Sequence, residues 1–297
     1  MSERSHLSWG AEALWEQLQP LLPGLSVEVV ARTDSTNTRL LERARATPAR
    51  GDLLATEPGT LEPATPLGRR STDLLPCLLV AEEQTHGRGR QGRPWYASAG
   101  ASLTFSLSLP MSPADWSGLS LAVGLAVAEA LEPQPATPRI GLKWPNDLWL
   151  LDAPGQGRKL GGVLIETVAA GAHRVCVVGV GLNILPLSLQ GLGTGYGCLQ
   201  ELDAQATAPQ ALATIAAPLV RALRRFQVAG FAPLREDYAR RDLLRGQTVT
   251  TTQPGVPEGV AEGVDARGAL IVRAGDEHRV VSGEVSIRPT LAPDAHG

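Results

Sequence analysis

His86-Gly87-Arg88-Gly89-Arg90-Gln91-Gly92-Arg93-Pro94-Trp95 is the most distinctive run in the chain. It spells Gly-x-Gly-x-x-Gly, the signature of a dinucleotide-binding turn. That turn needs a strand before it and a helix after it, with the pyrophosphate at the helix N-terminus. Leu78 to Ala81 reads as the strand, but Pro94-Trp95-Tyr96 and then a β-patterned segment follow where the helix should start. A dinucleotide fold is therefore excluded. What remains is three glycines alternating with three arginines over the seven residues Gly87 to Arg93. Guanidinium forks bind phosphate or carboxylate oxygens two at a time. Glycines leave such a loop free to fold over a ligand. The competing reading is a solvated Arg/Gly segment of the RNA-binding kind, but those run longer and repeat.

Outward from the loop, helical and strand patterns mix. A short amphipathic stretch around Leu14, Trp15 and Leu18 ends at Pro20. Ser26 to Arg32 alternates like a strand, and Thr33 to Asn37 offers N-cap residues before Leu40, Leu41 and Ala44 at helical spacing. Residues 56 to 76, rich in Pro and Thr, read as a loop. Ser102 to Leu109 alternates as a half-buried strand does. Ser117 to Leu131 is apolar on nearly every face and so a buried helix. Arg139 to Trp144, Asp147 to Leu151, Gly162 to Val168 and Arg174 to Val180 read as strands. Gln210 to Val228 is a helix bent at Pro218, and residues 233 to 243 form a shorter one. After Leu244 come five short strands, Gln247–Thr252, Gly259–Val264, Ala269–Val272, Arg279–Val281 and Glu284–Ile287, as in a small barrel. The pattern predicts an α+β fold with an all-β C-terminal unit. Its parts are an extension (1–25), a main domain (26–243), the β domain (244–291) and a tail (292–297).

The 297 residues carry a net charge of −3, which gives no global attraction to nucleic acid or an anionic membrane. The longest apolar stretch, Leu119 to Ala128, is far short of a membrane span. The three cysteines lack paired or metal-like spacing, and no signal peptide is evident, so a cytoplasmic protein is expected. Of the 27 basic residues only Lys143 and Lys159 are lysines. Arginine's wide planar head cannot replace a compact ammonium in a fitted site, which singles out both.

Each lysine sits in a compact motif. Lys143-Trp144-Pro145-Asn146-Asp147 puts a cation, a carboxamide and a carboxylate in one turn, suited to phosphates and magnesium; an ordinary Pro-Asn-Asp turn is the alternative. Lys159-Leu160-Gly161-Gly162 sets the second lysine before glycines that admit a ligand to the backbone, or form a plain hairpin exit. Gly179-Val180-Gly181-Leu182-Asn183 suits the edge of a heterocycle, or merely ends a strand. The five histidines are scattered and no Ser/His/Asp arrangement is defensible. Such chemistry is charge stabilisation by Arg and Lys, as in phosphoryl or nucleotidyl transfer.

Taken in order, Ser35-Thr36-Asn37, Glu83-Gln84-Thr85, Gly87 to Trp95, Lys143 to Asp147, Lys159 to Glu166, Gly179 to Asn183 and Ser282 to Arg288 resemble one family, the biotin–protein ligases. The resemblance covers roughly residues 27 to 289. It implies a class II synthetase-like mixed sheet with helices and a C-terminal SH3-like barrel. It also implies two steps: biotin and ATP give biotinyl-5′-AMP, and a lysine of a biotin carboxyl carrier domain then takes the biotin. By resemblance, Ser35, Thr36, Asn37, Gln84, Gly87, Arg88, Gly89, Arg90, Lys159 and Gly162 bind biotin or the adenylate. Arg88, Arg90 and Lys159 are the catalytic charges among them. Arg93, Trp95, Lys143, Asn146 and Asn183 serve the nucleotide, and Asp147 holds Mg2+.

Many bacterial members carry an N-terminal winged helix-turn-helix and act as repressors. Only 34 residues precede Ser35 here, so a monofunctional ligase without specific DNA binding is expected, as monomer or homodimer. Residues 57 to 75 look like an insert. A lipoate or octanoate ligase is the competing enzyme, disfavoured by the Arg/Gly loop and by the absence of that family's Arg-Arg and triple-glycine signature.

Overall fold

The computed structural model describes residues 7–46, 74–153, 155–170, 173–187, 195–256 and 258–287. Its frame is a seven-stranded sheet: β1 (Ser26–Thr33), β2 (Cys77–Gln84), β3 (Ser102–Pro110), β4 (Ile140–Lys143), β5 (Asp147–Ala153), β6 (Gln156–Ala170) and β7 (His173–Asn183). The strands lie in the order β1-β2-β3-β7-β6-β5-β4. Only β1 and β2 are parallel; the other neighbours are antiparallel. A parallel pair needs a crossover, which starts with α2 (Thr36–Arg45). The insert expected at 57–75 lies almost wholly outside the described residues, as does the tail from 292.

Side-chain alternation along the strands splits the molecule into two faces. Leu78 and Val80, with Leu103, Phe105 and Leu107, join the main core. That core also takes in α1 (Ala11–Leu18), α3 (Leu119–Leu131) and α4 (Ala208–Ala229), the last of which runs through Pro218. Cys77 and Leu79 face the other way, into a smaller cluster with Leu40, Leu41 and Ala44 of α2. α2 covers only part of this second face, and the remainder is open to a ligand.

Three expectations are corrected. β3 was expected to be half-buried, yet Ser102 through Leu109 are all buried. Its polar residues face α2 and the site rather than solvent, and Thr104 Oγ1 donates to Ala81 O at 2.9 Å. β6 begins at Gln156, so Gly161 and Gly162 lie inside the strand and not at a hairpin exit; interior glycine marks close approach. The helix expected over 233–243 is confined to α5 (Arg235–Ala239). Residues 241–243 instead pair with β4, with Leu142 N donating to Arg241 O (2.7 Å) and Leu243 N to Leu142 O (3.0 Å). β4 would otherwise present an unpaired edge. Arg241, 5% exposed, fixes the segment by binding Glu132 Oε2 at 2.6 Å.

The C-terminal strands β8 (Thr248–Thr251), β9 (Glu258–Val264), β10 (Leu270–Ala274), β11 (Asp276–Val280) and β12 (Val285–Ile287) form an antiparallel sheet ordered β11-β10-β9-β8-β12. The buried Trp144 donates its Nε1–H to Gly268 O at 3.0 Å, tying this sheet to the β4–β5 turn.

Candidate active site

One cavity of about 490 Å³ opens on the face that α2 leaves uncovered. Its size suits a small-molecule ligand. It gathers Ser35, Thr36, Asn37, Gln84, Arg88, Gly89, Arg90, Arg93, Trp95, Lys143, Asn146, Asp147, Lys159, Gly162 and Asn183, residues spread over 149 positions from β1's end to β7's end. Gly87 alone among the expected residues does not line it. It is buried behind the loop, where a Cβ would stand 2.4 Å from Trp95 O and 3.0 Å from Gln84 Nε2.

The first turn of α2 builds one end. Ser35 caps the helix, accepting from Thr38 N at 3.4 Å. Thr36 N donates to Gln84 Oε1 at 2.8 Å. Asn37 is 3% exposed, and its amide orientation follows from its partners. Nδ2 donates to Leu164 O (3.2 Å) and Glu166 Oε2 (3.0 Å), so Oδ1 faces Ser106 Oγ at 2.6 Å. Ser106 was not singled out in the sequence. Its one signal is a polar residue inside a strand that turns out to be buried on both faces.

The Gly/Arg loop is a small hairpin. Gly89 N donates to Arg93 O (2.7 Å) and Trp95 N to Gly87 O (2.8 Å), with a tight turn at Arg90–Gly92. Its three arginines differ. Arg88 pairs with Glu166, and Arg93 pairs with Glu284 from the C-terminal sheet. Among the described residues Arg90, at the tip, bonds only to Asn146 Oδ1, at 3.4 Å. Burial pulls its pKa down, while Asp147 and Glu284 hold it up. Glu284 lay within the quoted C-terminal motif, but nothing in the sequence linked it to Arg93.

The two lysines also differ. Lys159 Nζ binds Asp147 Oδ1 at 2.8 Å. Lys143 lies over the Trp149 ring, 4.6 Å from its centroid, a cation–π contact. Burial pushes its pKa down, partly opposed by Asp147. Asn146 is locked by Nδ2 donating to Val163 O at 2.8 Å. Asn183 Nδ2 donates to Lys159 O and Gly197 O, each at 3.0 Å, so this amide holds the wall together.

The Gly179-Val-Gly181 pattern also has a cause within the protein: both glycines line the cavity, and each stands against a neighbouring side chain. A Cβ at Gly179 would lie 2.3 Å from Asn37 Oδ1, and one at Gly181 2.5 Å from Trp95 Cε2. The glycines make room for two side chains of the protein itself. Trp95 Nε1 is buried with no acceptor among the described residues.

Chemically the cavity is an anion site. The cations Arg88, Arg90, Arg93, Lys143 and Lys159 line it against the carboxylates Asp147 and Glu284. Among the described residues no three His, Cys, Asp or Glu side chains cluster for a metal. A partly buried excess of positive charge with forked donors fits a ligand bearing phosphate and carboxylate.

Comparison with known proteins agrees. Residues 75–183 match the biotin/lipoate A/B protein ligase family and residues 246–288 the biotin protein ligase C-terminal domain. The biotin--[acetyl-CoA-carboxylase] ligase of Mycobacterium tuberculosis is 33% identical over 290 residues, covering 92% of this chain and 89% of that protein. The bifunctional ligase/repressor BirA of Escherichia coli is 32% identical over 281 residues, covering 92% and 77%. The biotin protein ligase of Aquifex aeolicus, solved with biotin and ATP, superposes with a TM-score of 0.66 at 25% identity, covering 89% of this chain and 99% of that one. The chain belongs to the biotin protein ligase family. Among the described residues no helix is long and apolar enough to cross a membrane.

Proposed function

We propose that this cavity joins biotin to ATP and then passes biotin to a lysine on a carrier domain. The observation that carries the proposal is the convergence of five cations and the α2 N-terminal turn on one cavity of ligand size. In the first step a biotin carboxylate oxygen attacks the α-phosphorus, the bond to the β-phosphate oxygen breaks, and pyrophosphate leaves. Two anions must meet, so their repulsion has to be cancelled. Charge-assisted bonds contribute about 1.5–3 kcal/mol each; Arg90 and Lys159 supply them directly, and Arg88, engaged by Glu166, holds the loop that carries Arg90. In the second step the carrier lysine nitrogen attacks the acyl carbon, AMP leaves, and the amine loses its proton.

Ser35, Thr36, Asn37, Gln84, Gly87, Gly89 and Gly162 serve the biotin end. Arg93, Trp95, Lys143, Asn146 and Asn183 serve the nucleotide, the last by holding the wall. Mg2+ fits as a companion of the phosphates. Asp147, which also pairs with Lys159, is the carboxylate that would hold it, within the one or two that magnesium takes beside substrate phosphates, and the ion would neutralise phosphate charge there. The carrier is a biotin carboxyl carrier domain, and the reaction belongs in the cytoplasm.

The test supplies ATP, Mg2+, carrier domain and either biotin or lipoate. Biotin-dependent pyrophosphate release and an amide-linked biotin on the carrier lysine are expected, read by mass spectrometry. Transfer of lipoate and not biotin would overturn the assignment.

A further inference from the structure

Glu166 appears in none of the roles above, yet it touches two of the site's working parts. It sits on β6 in the same side-chain row as Gly162 and Leu164, at the α2 end of the cavity. One oxygen, Oε2, accepts from Asn37 Nδ2 at 3.0 Å and also pairs with Arg88. An ion pair this exposed is by itself worth little. Here the same oxygen also serves a buried amide, so the carboxylate is fixed before Arg88 arrives.

Arg88 lies on the first arm of the loop hairpin, paired through the backbone with Pro94 on the second. Holding Arg88 therefore holds the arm, and the arm holds the bonds Gly89 N to Arg93 O and Trp95 N to Gly87 O. The tip arginine, Arg90, has no carboxylate partner among the described residues and is the charge left for an anionic ligand.

We propose that Glu166 is a positioning residue: it anchors the loop through Arg88 while it orients Asn37, so the Arg88 side chain is a hinge post and Arg90 carries the closing charge. A loop anchored at one point can swing its tip over a ligand and still return to register. The consequence for the reaction rests on the ligase reading above; the anchoring does not.

Two substitutions separate the parts. Glu166→Gln keeps an acceptor for Asn37 and removes the charge for Arg88; Glu166→Ala removes both. Backbone amide exchange at Gly89 and Trp95 is measured first, without any substrate. It should rise roughly fivefold in Glu166→Gln, the loss of about one hydrogen bond's worth of protection, and unchanged exchange refutes the anchor. Free biotinyl-adenylate released per amide formed is measured next. It should rise about threefold in Glu166→Gln with the biotin KM within twofold, whereas Glu166→Ala should raise both by comparable factors. The swap Arg88→Glu/Glu166→Arg should restore the exchange protection at Gly89 and Trp95, whereas a role through Asn37 alone would leave it lost, because the swapped side chain offers Asn37 no acceptor. Glu262→Gln on β9, which breaks the exposed pair with Arg273 on β10, is the neutral control. A wild-type protein that makes no biotin amide defeats the ligase reading and leaves the exchange result standing. A normal wild type with a containment-insensitive Glu166→Gln defeats the role of the anchor in the reaction.

Discussion

Gly179 and Gly181 sit two residues apart on one face of β7, and each makes room for a different half of the site. A methyl at Gly181 would stand 2.5 Å and 2.7 Å from Trp95 Cε2 and Cζ2. Carbon atoms prefer about 3.5–4 Å. The indole cannot slide away with its backbone, because Trp95 N is bound to Gly87 O at 2.8 Å. It must rotate off the cavity wall. A methyl at Gly179 would instead stand 2.3 Å from Asn37 Oδ1, whose amide is held on its other side by Leu164 O and Glu166. Overpacking of this kind costs about 1–3 kcal/mol, roughly a five- to 150-fold change in affinity if it falls on the bound state. Gly181→Ala should therefore weaken a non-hydrolysable ATP analogue by about tenfold or more, with biotin affinity changed less than about threefold. Gly179→Ala should do the reverse. Titration calorimetry with each ligand alone, alongside melting temperatures, reads the split. Equal losses for both ligands in both variants would refute the reasoning, because they would place Asn37 and Trp95 in one subsite.

Three further outcomes are expected. Lys159→Arg should lower turnover by tenfold or more on the order of one lost charge-assisted bond, because Nζ is fitted at 2.8 Å to Asp147; a near-normal steady-state rate would contradict it. Arg90→Gly should still form the adenylate but release it, seen as free biotinyl-adenylate by chromatography; no increase would remove Arg90 from the closing role. Asp242 bears on stability: burial raises its carboxyl from 3.8 to about 6, and Oδ2 has no hydrogen-bond partner among the described residues. A raised carboxyl favours the folded state when protonated. Its full contribution is present below pH 3.8 and is lost as pH rises through about 6. Asp242→Asn keeps an acceptor for Leu244 N and should melt like wild type at pH 4 but higher than wild type at pH 7, by roughly 2–3 kcal/mol of stability. Parallel melting curves at both pH values that show no such divergence would disprove it.

The sequence by itself determined more than the order of elements. The β-patterned segment that follows Pro94-Trp95-Tyr96 ruled out the dinucleotide fold, because no helix starts where one was needed. The scarcity of lysine isolated Lys143 and Lys159, and both line the cavity. Alternation placed most strands, since period two survives without knowledge of neighbours. What covers a face is not written in that period. β3 reads as half-exposed because its serines and threonines are polar, and only the position of α2 buries them. The limit is the same at residues 240–244: local propensity favours more helix, and the open edge of β4, distant in sequence, draws the segment into pairing.

The site divides in the same way. Which cations take part was legible, since charge and fit are properties of residue types. Which carboxylate each cation meets was not, because the partners lie 78 residues away for Arg88 and 191 for Arg93. The sequence supplied three equivalent arginines in one loop. Tertiary structure made two of them anchors, on Glu166 and Glu284, and left Arg90 at the tip with no carboxylate partner among the described residues. An ion pair depends on position in space, which only the folded sheet and the docked C-terminal strands define.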